Sequence, residues 1–270
     1  MKPAARTVLS SPRHPLLQQF RRALGRGELT PEGCCAVEGV HLVEEALRSR
    51  LEVVALLAAR SAEKRLENFE AATNGGLRSY VTSDRIFRSL AQTETPQGIA
   101  ALVRLSPPRL EEQLARPKAV AVALLGVQDP GNLGTILRAL EAFGGAACLL
   151  GPKTVSPFNS KAVRASAGSL FRVSVARNLT TEKIFSLCRQ YRLHTVALAP
   201  GATPPLSTVD LRGPVAFFIG QEGSGLPPEA LAQAAVVARI PLAAPVESLN
   251  AAMAASLALY ETARQRGFRE

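Results

Sequence analysis

The sequence predicts an α/β protein: a C-terminal parallel sheet covered by helices, preceded by a smaller α/β domain. Three observations carry that expectation. From residue 119 onward, short runs that are apolar throughout, such as "AVAVALLGV", alternate with stretches of helical spacing. Strands buried on both faces of a parallel sheet read this way. The same alternation, in shorter pieces, fills the first hundred residues. Between the two lies "LSPPRLEEQLARP" at 105 to 117, whose three prolines interrupt the rhythm. We therefore divide the chain into a domain over 1–105, a linker over 106–117 and a domain over 118–270.

Taken in order, "HPLLQQFRRAL" has helical spacing and "CCAVEGVHLVEEALRS" reads as strand then helix. "LEVVALLAA" follows as strand, "SAEKRLENFEAAT" as helix, "LRSYVTS" as strand, "DRIFRSLAQT" as a short capped helix and "GIAALVRL" as the closing strand. After the linker the strands are "AVAVALLGV", "AACLLG", "FRVSVA", "LHTVALA", "PVAFFIG" and "VVARIPL". The helices between and after them are "NLGTILRALEAFG", "SKAVRASAGSL", "TTEKIFSLCRQY", "PPEALAQA" and "SLNAAMAASLALYETARQRG".

Composition narrows the function. The net charge is +10, and Met1 to Arg26 holds six basic residues and no acid. Such a surface attracts a polyanion by releasing its condensed counterions. The longest apolar run is about half of what a membrane span requires, and the N-terminus lacks a continuous apolar segment with a cleavage site, so a cytoplasmic protein is expected. Cys34, Cys35, Cys148 and Cys188 form neither a C-x-x-C pair nor a zinc pattern with histidine. His14, His41 and His194 are too scattered for a site, and no metal is expected.

Ligands of an open parallel sheet bind at the carboxyl ends of its strands, and three junctions there are unusual. In "GVQDPGNLGTILRALEAFG", Asn132 reads as an N-cap after a Pro-Gly turn. Arg138 then falls among Leu133, Ile136, Leu137 and Leu140, where an arginine calls for an anionic partner or a ligand. In "FFIGQEGSGLPPE", three glycines in six residues let the backbone approach a ligand closely. No Gly-Lys-Ser/Thr follows, and Glu222 would repel a pyrophosphate, so neither a Walker loop nor a Rossmann fingerprint is present. In "IPLAAPVESLNAAMAAS", either Ser248 or Asn250 would cap the last helix, leaving a second polar group to be explained.

Together the three junctions resemble, in order and spacing, the motifs of the SpoU/TrmH class of RNA 2′-O-ribose methyltransferases in the SPOUT superfamily. The likeness runs through "DPGNLGTILRA", "SPFNSKAVRASAGSLFRVSV", "IGQEGSGL" and "IPLAAPVESLNAAMAASLALYE". "SPRHPLLQQFRRAL", "VEGVHLVEEAL" and "TPQGIAALV" are similar to that class's ribosomal-protein-like RNA-binding domain, and "ELTPEGCCAVEG" departs from it by lacking basic residues. The resemblance implies a SPOUT domain with a deep trefoil knot, S-adenosylmethionine as cofactor, and a homodimer formed through the C-terminal domain whose partner helps complete each active site. It implies a reacting centre of Asn132, Arg138, Glu222, Ser248 and Asn250. Gly220, Ile240 and Leu249 would bind the adenosyl portion, with Leu198, Gly223 and Leu242 nearby.

Arg138 would act either as proton acceptor or as a stabiliser of phosphate and alkoxide charge. Arg6, Arg13, Arg21, Arg22, Lys161 and Arg164 are candidates for RNA contact, the last two near the catalytic crevice. Members with this N-terminal domain more often act on large ribosomal RNA. Transfer-RNA-directed relatives tend to carry basic extensions at both ends, and "ARQRGFRE" is short, so 23S ribosomal RNA is expected as substrate. The alternatives are a tRNA 2′-O-methyltransferase and a non-catalytic RNA-binding factor of the same fold.

Overall fold

The computed structural model describes residues 6–73 and 77–268. The chain divides into two compact units, Met1–Ser106 with Ser156–Phe171, and Pro107–Val155 with Arg172–Glu270.

The first unit contains β1 (Thr7–Leu9), α1 (Pro15–Arg26), β2 (Cys34–Glu38), α2 (Val40–Arg48), β3 (Glu52–Ala59), α3 (Leu66–Ala72), β4 (Ser79–Thr82), α4 (Asp84–Arg88) and β5 (Ile99–Arg104). Its sheet runs β1-β4-β3-β5-β2. β4 is parallel to β1 and β3, whereas β5 is antiparallel to β3 and β2. β1 was not expected, because three residues carry too little alternation to be seen. The buried Glu38 carboxylate accepts from Gln92 N at 2.8 Å and from the Thr93 hydroxyl. Gln97 Oε1 accepts from Val40 N at 2.8 Å at the start of α2. Two separate contacts thus hold the loop before β5: Glu38 to Gln92 and Thr93, and Gln97 to the start of α2.

The second unit begins with α5 (Leu110–Leu114), inside the segment expected to be a linker, then β6 (Val120–Leu125), α6 (Pro130–Ala142) and β7 (Ala147–Leu150). The chain then passes into the first unit as α7 (Ser160–Ala165), which packs against β2. It returns as β8 (Ser174–Ala176), α8 (Thr181–Gln190), β9 (His194–Leu198), β10 (Val215–Gly220), α9 (Pro228–Gln233), β11 (Val236–Ala238) and α10 (Ala251–Gln265). All six strands are parallel, in the order β11-β9-β10-β6-β7-β8, the parallel sheet expected from the apolar runs of its central strands. β6 is buried at every position, and Phe185 of α8 stacks on Phe218 of β10 with centroids 4.4 Å apart. The chain proceeds from β6 to one side of the sheet and from β9 to β10 on the other. The switch point, and with it the crevice of an open α/β sheet, therefore lies at the carboxyl ends of β6 and β10.

Residues 156–171 follow the alternation of the C-terminal domain in sequence and pack with the first unit in space. A close backbone approach accompanies that packing. Gly27 ends α1 with φ +63°, and a Cβ there would sit 2.7 Å from the Asn159 backbone. Ser156 Oγ donates to Gly27 O at 2.8 Å, while Phe158, Val163, Leu170 and Phe171 are buried.

Candidate active site

Local rules place the three junctions. At the first, Asp129 caps α6, accepting from Asn132 N at 2.9 Å, and Pro130 occupies the first turn, where a missing N–H costs nothing. Asn132 is therefore not the cap expected from sequence, and its side chain is available elsewhere. At the second, Gln221 and Gly225 exchange backbone hydrogen bonds of 3.1 and 2.9 Å, closing a tight turn with Glu222 on it. Gly220 permits that turn: a Cβ there would lie 2.1 Å from the Gly225 carbonyl carbon. At the third, Asn250 caps α10, its Oδ1 accepting from Ala252 N at 2.8 Å and Met253 N at 3.2 Å.

The junctions then meet. Asn132 Nδ2 donates to Glu222 Oε1 at 2.7 Å, and Asn250 Nδ2 donates to Asn132 Oδ1 at 2.8 Å. Gln128 N adds a 3.5 Å contact to Glu222 Oε2. The chain of donors runs one way, from Asn250 through Asn132 to Glu222. The second polar group of "VESLN" is thereby accounted for: Asn250 both caps its helix and bridges to α6, leaving Ser248 to line the adjoining cavity.

That cavity, of about 300 Å³, is bounded by the ends of β9 and β10, the glycine turn and the segment after β11. Leu198, Gly220, Gly223, Ile240, Leu242 and Leu249 all line it, together with Glu222 and Ser248. Its chemistry suits a nucleoside carrying a cationic group. Aliphatic side chains supply faces for a base, exposed backbone supplies directional hydrogen bonds, and one carboxylate stands at the edge.

The SpoU rRNA methylase family matches residues 119–260, and an MRM3-like substrate binding domain matches residues 19–101. The chain belongs to the SpoU rRNA methylase family. It is 32% identical over 253 residues to the 23S rRNA (guanosine(2553)-2′-O)-methyltransferase RlmP of Bacillus subtilis (strain 168), covering 93% of this chain and 97% of that one. Among solved structures, the AdoMet-bound rRNA methyltransferase from Sinorhizobium meliloti is 28% identical, covers 96% of this chain and 97% of its own, and superposes with a TM-score of 0.82. An RNA 2′-O ribose methyltransferase is 29% identical, covers 97% and 100% of the two chains, and has a TM-score of 0.79.

In this SpoU-family chain the reacting-centre candidates do not all converge. Asn132, Glu222 and Asn250 are bonded, and Ser248 shares their cavity. Arg138 stands apart, which corrects the sequence argument. It is not on the apolar face of α6 but exposed, one turn beyond exposed Thr135, while Leu133, Ile136, Leu137 and Leu140 are buried around the other side. It has no ion-pair partner among the described residues.

Of the RNA candidates, Arg6 is already neutralised. It is bonded to Glu70 at 2.8 and 3.2 Å and lies 3.6 Å from Glu63 and 3.9 Å from Glu67. That guanidinium holds the Glu70 carboxyl below its ordinary value against the opposing effect of burial. Arg13 and Arg22 are exposed, while Arg21 is half-buried with weak 3.5 Å contacts to Pro12 O and Ser89 Oγ. Lys161 is exposed and Arg164 half-buried on α7, which packs within the first unit. Sequence reasoning passed over Gln221 and Ser224, which line the cavity and bond to each other at 3.3 Å, although both lie inside the quoted "GQEGSGL".

Proposed function

We propose that this chain transfers a methyl group from S-adenosylmethionine to a ribose 2′-hydroxyl of 23S ribosomal RNA in the cytoplasm. The observation that carries the reading is the Asn250–Asn132–Glu222 chain at the edge of the aliphatic cavity. When bound, S-adenosylmethionine supplies an electrophilic methyl on a sulfonium. Leu198, Ile240, Leu242 and Leu249 hold the adenosyl portion, and the glycine turn presents backbone to it. Glu222 offsets the positive charge, while Ser248 and Asn132 hold the ribose hydroxyl in line, the positioning on which such a transfer chiefly depends. Arg138, exposed and without an ion-pair partner among the described residues, supplies its guanidinium to the substrate phosphate and to the developing alkoxide; the 2′-hydroxyl proton passes to solvent water and the sulfonium leaves as the neutral thioether. Arg13, Arg21, Arg22, Lys161 and Arg164 of the first unit contact the RNA.

Two structural features belong with this reading. α10 packs on α6 and β10, whereas β11 is the far edge strand, so the chain returns across the sheet ends between 239 and 250. We read that return as the trefoil knot. Met253, Leu257 and Tyr260 on α10 are 55%, 41% and 46% exposed at positions i, i+4 and i+7, an apolar stripe suited to a second copy of the chain. The homodimer brings Arg138 of one copy to the centre of the other.

The experiment is methyl transfer from labelled S-adenosylmethionine to separated 23S rRNA and tRNA. Label in a 2′-O-methylnucleotide of 23S rRNA is expected; label confined to tRNA, or none, rejects the reading. Arg138→Ala should abolish transfer while leaving S-adenosylmethionine affinity within twofold.

A further inference from the structure

The glycine turn has a cavity on each side. β10 stands between β9 and β6 in the sheet, and the cavity described above opens on the β9 side. On the β6 side a second cleft, of about 380 Å³, is formed by Gly126 after β6, Pro152 and Lys153 after β7, Thr181 at the start of α8, and Pro228 and Glu229 at α9. Gln221, Ser224 and Gly225 line both, so one turn is the partition between them. The cleft is within the size range of small-ligand sites and opens at the switch point between β6 and β10. Nothing in the methyl-transfer reading uses it.

Its chemistry is divided. Lys153 is an exposed cation at the β7 rim, and Glu229 is an exposed anion at the α9 rim. Prolines 152, 227 and 228 line the same cleft and add apolar surface, with Gln221 and Ser224 on the partition. A ligand with two phosphates would meet Glu229, and a purely apolar one would leave both charges without a partner. A single nucleotide unit matches all of it. Its phosphate takes Lys153, its base lies against the prolines, and an exocyclic amine donates to Glu229.

The geometry points to this cleft as the subsite for a nucleotide flanking the one that is methylated, so that the glycine turn separates the reacting ribose from its neighbour's base. This inference rests on the RNA methyltransferase reading above. It makes Lys153 and Glu229 specificity-determining residues and favours a neighbouring base that carries an amine over uracil.

The test uses the full chain and S-adenosylmethionine with in vitro transcribed 23S rRNA. Cys34, Cys35, Cys148 and Cys188 are all buried, which shields the native thiols from the reagent. Lys153→Cys therefore introduces one reactive thiol for a short photo-crosslinker. Arg189→Cys, at the other end of α8, is the control. Reverse-transcriptase stops from the Lys153→Cys protein should fall within about two nucleotides of the 2′-O-methyl mark made by wild type, with none from the control. Lys153→Ala should lower the slope of log affinity against log salt by about 1 and leave S-adenosylmethionine affinity unchanged. A mark on the RNA with stops far from it, or with stops shared by the control, overturns the subsite alone. No mark from wild type on any RNA overturns the methyltransferase reading, and the subsite with it.

Discussion

Replacing Gly220 by alanine tests the turn on which the site is built. The added Cβ would lie 2.1, 2.2 and 2.3 Å from the Gly225 carbonyl carbon and oxygen and the Leu226 nitrogen. These are backbone atoms, so no rotamer change relieves the overlap, and the turn must open. Opening breaks the two hydrogen bonds between Gln221 and Gly225, at about 1 kcal/mol each. The same movement withdraws Glu222 from Asn132. About 2 kcal/mol taken from the bound geometry corresponds to roughly 30-fold in affinity. Isothermal titration with S-adenosylmethionine should therefore give a dissociation constant about 30-fold weaker for Gly220→Ala. Gly213→Ala, where a Cβ meets nothing within 4 Å, should match wild type. An unchanged affinity for Gly220→Ala would refute the claim that this backbone approach forms the cofactor pocket.

Asn250 has two roles that substitution separates. Asn250→Ala should lose the cap, about 1 kcal/mol, and the transfer activity together; Asn250→Ser should keep the melting temperature but lose transfer, since the hydroxyl caps α10 yet does not reach Asn132. Arg6→Ala should destabilise the first unit in a pH-dependent way. Glu70's folded pKa is depressed by Arg6, so its contribution is present above the ordinary carboxylate value near 4.5 and lost as pH falls through the lower folded value. Chemical denaturation at pH 7 and at pH 3 should show the gap between wild type and Arg6→Ala shrinking on acidification. Leu257→Lys, which charges the exposed stripe of α10, should shift sedimentation toward the monomer and reduce transfer together.

Much of this was legible in the sequence, and the exceptions have physical reasons. The central strands β6, β7 and β10 could be found because strands buried on both faces are apolar almost throughout, a local signal, while β8, β9 and β11, which are partly exposed, were legible from their place in the alternation. The convergence of Asn132, Glu222 and Asn250 was not local, since the pairs are 90 and 118 residues apart. Family resemblance pointed to it, while capping rules alone picked the wrong residue, Asn132 in place of Asp129. Arg138 was misplaced because its apolar neighbours in sequence were taken for neighbours in space. At 100° per residue, position 138 shares its stripe with Thr135 rather than with Leu137. The packing of α7 on the first unit was invisible for a different reason: it joins buried Phe158, Val163, Leu170 and Phe171 to the room left by Gly27, about 130 residues earlier.

That borrowed segment bears on where the chain can be cut. A fragment ending at Ser106 lacks part of its own interior, since Phe158, Val163, Leu170 and Phe171 arrive from a later stretch. Expressed alone, it would leave the surfaces that those side chains cover open to water.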